Sequence, residues 1–107
     1  NAQDLVDRAG GASTLLLVAV VVIGAPLIEE LFYRGLLQRS LAARFNEGAV
    51  LVAVATTFAA VHFRPIEFPG LFVFGLILGW AALRTDRLGM AITIHVGFNL
   101  TAMLLVL

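Results

Sequence analysis

Polar and apolar residues fall in blocks along this chain rather than in alternation. Four apolar runs cover about 13–37, 49–63, 71–83 and 90–107. None shows a strict period of two, and an open sheet does not survive in lipid, so all four are expected to be helices. The links between them carry polar residues or breakers. Residues 39–48 hold Asn46 and Gly48, read as a stop signal. Residues 64–70 hold Pro65, Pro69 and Gly70, and residues 84–89 form a short charged turn. Residues 1–11 are polar and close on Gly10-Gly11, a surface lead-in, while 12–107 read as one transmembrane core. The chain starts at Asn1 rather than Met and stops inside an apolar run, so it is expected to be a piece of a longer multi-pass protein.

Length sharpens this picture. From Ser13 to Phe45 a helix would run roughly 50 Å, against about 30 Å of hydrocarbon, so it must bend or break. Pro26 is one place for a kink. The alternative is that 36–45 lies in the interface, with Leu36, Leu37, Leu41 and Phe45 on one side and Gln38, Arg39 and Arg44 elsewhere. The second and third runs are only about 20 Å long as helices, so the loop with Arg64 and Glu67 is expected to dip into the membrane.

Composition agrees with the membrane reading. Hydrophobic residues make up 61% and charged residues 13%, against roughly 45–50% and about 25% in soluble domains. Seven Arg balance seven acids; with no basic face, a nucleic-acid partner is excluded. There is no cysteine, hence no thiolate chemistry. The lead-in carries Asp4, Asp7 and Arg8, unlike a signal peptide. Arg39, Arg44, Arg84 and Arg87 fall on one side and Arg8 and Arg64 on the other, which makes the first side cytoplasmic.

Candidate chemistry begins at "EELFYR", residues 29–34. Glu30 and Arg34, four apart, share a helix face and can pair. Glu29 points about 100° away, so the second acid needs its own reason to be there. Singly, each polar residue has a structural explanation. Glu30–Arg34 is an ion pair, His62 a packed histidine sharing a face with Phe58, and Asn99, on the same face as His95, a helix bridge. Together, Glu29, Glu30, Arg34, His62, His95 and Asn99 come from three runs, and one shared wet cavity accommodates them best. Such a set can activate water and stabilise an oxyanion. Gly75 and Gly79 form a small-residue packing strip. Tyr33 and Trp80 are interfacial anchors or cavity walls, and Thr56, Thr57 and Thr93 bond their own helix backbone.

These residues resemble the CPBP (Abi) family of intramembrane proteases, which includes the glutamate-type CaaX prenyl endopeptidases. The family motifs Glu-Glu-x-x-x-Arg, Phe-x-x-x-His and His-x-x-x-Asn are matched in order by "EELFYR" (29–34), "FAAVH" (58–62) and "HVGFN" (95–99). The resemblance implies an all-α, four-helix catalytic core of a multi-pass membrane protease. It implies Glu29 as general base aided by His62, with His95 and Asn99 stabilising the oxyanion and Glu30 and Arg34 ordering the site. The implied substrate is a membrane-associated protein, CaaX-prenylated in the best-known cases, cut near its C-terminus. In a prokaryote the protein would sit in the plasma membrane.

No cofactor is required by direct glutamate–histidine catalysis, the favoured reading. The alternative is zinc held by Glu29, His62 and His95, as in other His₂Glu sites. Three further classes stay open: a non-proteolytic scaffold or regulator of the same family, a bis-histidine haem protein using His62 and His95, and a transporter, for which the helices are too few.

Overall fold

The computed structural model describes residues 1–106; Leu107, the last residue of the fourth apolar run, lies outside them. Five helices follow in order: α1 (Ala2–Ala9), α2 (Gly11–Ala42), α3 (Glu47–Ala60), α4 (Phe68–Thr85) and α5 (Gly89–Val106). No strand occurs among the described residues. Helices α2, α4 and α5 are each long and apolar enough to cross a membrane.

The polar lead-in is itself helical. Asn1 caps α1 by accepting the Asp4 N–H at 3.0 Å, and Asp4 returns a bond to the N-terminal amine at 3.1 Å. Helix α2 neither breaks at Pro26 nor ends before 36–45. It runs on to Ala42 by widening: Val20–Gly24 and Leu31–Gln38 adopt π-type turns on either side of Pro26. Within 36–45, Leu37 and Leu41 pack against the core and Gln38 is buried, while Leu36 and Phe45 face outward. The expected interfacial segment is therefore the packed end of a helix of spanning length.

Asn46 does not stop the first helix but starts the next. Its Oδ1 accepts the Ala49 N–H at 2.8 Å, capping α3. Helix α4 is longer than its apolar run suggested. Pro69 lies in its first turn, where the missing N–H costs nothing, and Asp86 ends it in the left-handed conformation at φ 52°. At 18 residues it is long and apolar enough to cross a membrane, which removes the length argument for a dipping loop.

The four main helices form a ring. Helix α3 packs most extensively on α4, α4 on α5, and α5 and α3 both on α2. The core is Tyr33, Val50, Val54, Phe58, Phe74, Leu78, Ala82 and Ala91. Leu15, Leu16, Ile23, Ile28 and Leu105 face outward, an arrangement suited to lipid. Gly75 and Gly79 let α4 approach closely. A Cβ on Gly75 would meet the Ala55 backbone at 3.2 Å, and one on Gly79 would meet Gln38 Oε1 at 2.7 Å and Leu51 Cδ2 at 2.9 Å. The Arg39 guanidinium donates to the Asp86 carbonyl at 3.3 Å, so Arg39 and the 84–89 turn share one end of the bundle. Thr56, Thr57 and Thr93 each donate to the carbonyl four residues earlier.

Candidate active site

Glu30, Arg34 and Gln38 recur every four residues and form one polar stripe down the inner face of α2. All three are buried. Glu30 Oε2 accepts from Arg34 at 3.1 Å and lies 2.7 Å from His95 Nδ1 on α5. A carboxylate oxygen that already takes a guanidinium proton is an acceptor, so Nδ1 of His95 carries the hydrogen. The other His95 nitrogen, Nε2, is then free for chemistry. Arg34 also donates to the Gly75 carbonyl at 2.8 Å, and Gln38 to the Gly79 carbonyl at 3.0 Å. The two glycines expose those carbonyls by having no side chain to cover them. The guanidinium carbon stands 4.8 Å from the centre of the Phe58 ring.

His62 lies just past the end of α3 rather than on it, in the turn that follows. Its Nδ1 is 2.6 Å from the Phe58 carbonyl. A carbonyl only accepts, so Nδ1–H donates and Nε2 keeps its lone pair. Phe58 joins the two imidazoles: its ring centre is 4.9 Å from that of His62 and 5.9 Å from that of His95. Both imidazoles thus pack on one Phe58 ring. Phe74 closes the far side of His95 at 5.5 Å. Tyr33 packs edge-on against Phe58 at 5.6 Å and belongs to the core, whereas Trp80 is more than half exposed and faces out.

Glu29 is placed differently from its neighbour. It is half-buried, and the buried ion pairs fall on Glu30 and not on Glu29. Asn99 Nδ2 donates to the Val21 carbonyl on α2 at 3.0 Å, which leaves one N–H and the Oδ1 of the amide unused.

A family model described as type II CAAX prenyl endopeptidase Rce1-like matches residues 11–101. The chain belongs to this family. The match takes in α2, α3, α4 and most of α5, and with them every motif residue of the site. No curated protein and no solved structure matches the chain. Membership in the Rce1-like family makes the chain a CAAX-type protease at family level and agrees with its three spanning-length helices.

Against that background the zinc alternative can be tested by geometry. No group of three or more His, Asp or Glu side chains among the described residues is placed to hold a metal ion. Glu29, His62 and His95 are not gathered into such a group among these residues.

Two site components were not anticipated. Gln38 was read as a polar residue of an interfacial segment, and the Gly75 and Gly79 carbonyls were not considered as partners. The signal was present: the four-residue spacing of Glu30, Arg34 and Gln38 matches that of Gly75 and Gly79.

Proposed function

We propose that this protein is a multi-pass intramembrane endopeptidase that hydrolyses a peptide bond near the C-terminus of a membrane-associated, lipid-modified substrate. The observation that carries this reading is the division of labour between adjacent acids. Glu30 is fully buried and committed to Arg34 and His95, while Glu29 stands outside that network and is half-buried. A carboxylate that must accept and return a proton cannot also be locked to a guanidinium.

Water is held between the Glu29 carboxylate and the lone pair of His62 Nε2. As its oxygen bonds to the scissile carbonyl carbon, Glu29 takes the proton and the carbonyl electrons move onto oxygen. His95, with both ring nitrogens protonated beside the Glu30 carboxylate, donates its Nε2–H to that oxyanion, and Asn99 donates its unused N–H. Glu30 keeps the His95 ring oriented through Nδ1, and Arg34 holds Glu30. Collapse of the intermediate breaks the C–N bond, and the proton on Glu29 passes to the leaving amine. An apolar groove of about 490 Å³, lined by Ala59, Phe63, Pro65 and Phe68 with Arg64 at its edge, follows His62 in the chain and suits the lipid-bearing part of a substrate. In a prokaryote the protein would act in the plasma membrane.

The test compares wild type with Glu29→Gln on prenylated and unprenylated C-terminal peptides, with and without a strong chelator. Cleavage lost in Glu29→Gln and untouched by chelator is the expected result. Loss with chelator and recovery with zinc would overturn the direct glutamate mechanism. Failure to cleave any peptide, with a Glu29→Gln strain behaving as wild type, would favour a scaffold.

A further inference from the structure

Asn99 has a partner that its place in an oxyanion site does not call for, and the reason lies in α2. In a regular α-helix the Val21 carbonyl would accept the N–H of residue 25. In the wide turn Val20–Gly24 that N–H is drawn elsewhere: Ala25 N–H bonds to the Val20 carbonyl, five residues back. In that register the next carbonyl, Val21, is due a bond from residue 26. Residue 26 is proline, is buried, and has no N–H. In the wide register that the helix adopts, Val21 is thus deprived of its backbone donor. An apolar environment makes an unmet carbonyl costly. Asn99, on the neighbouring helix α5, supplies the missing hydrogen at 3.0 Å.

We infer that Asn99 is a positioning residue: its amide stands in for the N–H that Pro26 lacks, locks the wide turn of α2 against α5, and thereby sets the register in which Glu29 and Glu30 face the site. The turn ends at Gly24 and the acids follow at 29 and 30. A slip of one residue there would rotate both carboxylates by about 100°. His95, four residues before Asn99, meets Glu30 at 2.7 Å, so the two α5 residues hold α2 at two points, one at the turn and one at the acid. The positioning of the catalytic acid rests on the protease reading; the clamp itself does not.

The experiment is a double-mutant cycle on the protein in detergent, using Asn99→Leu, Pro26→Ala and both together. Pro26→Ala returns a backbone N–H that can satisfy Val21, so it should make Asn99 redundant. Thermal unfolding is expected to fall by about 4–8 °C for Asn99→Leu alone and by less than half of that when Pro26→Ala is already present. The kcat lost in Asn99→Leu is expected to recover in part on adding Pro26→Ala, with KM little changed. Additive losses of melting temperature would overturn the clamp. Coupled melting temperatures with additive losses of kcat would overturn the positioning role and leave Asn99 acting on the oxyanion alone. If no peptide is cleaved by any form, the protease reading fails, and the melting cycle still decides the clamp. If Asn99→Leu does not fold, Asn99→Ser, too short to reach Val21, takes its place in the same cycle.

Discussion

Two parts of the site, built from neighbouring residues, are held in opposite ways. On one side, Glu30, Arg34 and Gln38 are buried and tied to His95, Gly75 and Gly79. On the other, Glu29 and His62 are only half-buried, and His62 sits in a turn beyond its helix. Next to His62, Phe63 takes a left-handed φ of 52° and is largely exposed. The tied side uses its charges to hold geometry. The open side is the one that the proposed mechanism uses for exchange with water and substrate. A charged group inside a membrane protein can serve structure or reaction, and the proposed mechanism assigns the two tasks to adjacent glutamates.

The sharpest way to break that contrast is to cut the tied side. Arg34→Met leaves the Glu30 carboxylate buried without its guanidinium and the Gly75 carbonyl without a donor. The expected loss is about 3–5 kcal/mol of stability, read as a collapse of folded yield and thermal midpoint in detergent. The opposite result belongs to the open side. Glu29→Gln should reduce kcat at least about a hundredfold while its melting curve stays within about 0.5 kcal/mol of wild type. A melting loss as large as that of Arg34→Met would erase the distinction between the acids.

Gly79→Ala probes the seam without touching a charge. The added methyl meets Gln38 Oε1 at 2.7 Å and Leu51 Cδ2 at 2.9 Å, and roughly 1–3 kcal/mol should be lost. Gly75→Ala, whose nearest contacts are at 3.2 Å, should cost less in the same measurement. The smallest effect is expected at the exposed Arg64–Glu67 pair. Arg64→Gln should change stability by under about 0.5 kcal/mol, and any effect it has should be on KM for substrate.

Much of this was legible because lipid makes polar residues conspicuous. Glu29, Glu30, Arg34, His62, His95 and Asn99 stood out against apolar runs, and the helical class followed from the runs themselves. What escaped reading had three physical causes. Gln38 lay where the helix was taken to have left the membrane, so its polarity looked ordinary. Pro69 was read as a break because a proline's effect depends on whether it falls in a first turn, which sequence alone does not mark. Pro26 announced a missing hydrogen bond but not the remedy. Whether a helix kinks or widens there depends on a donor 73 positions away along the chain.

The ladder between α2 and α4 has a mechanical consequence. Its rungs, Arg34 to Gly75 and Gln38 to Gly79, have the same sequence separation of 41, so the helices run parallel like two racks with matched teeth. Sliding one along the other by less than a tooth disengages both rungs at once. The next place where Arg34 finds a bare glycine carbonyl is Gly79, one full turn or about 5.4 Å away. Helix α4 therefore has no small adjustments available along its axis. Any movement that the bundle makes is left to the helix ends and the 61–67 loop, while the rack keeps its pitch.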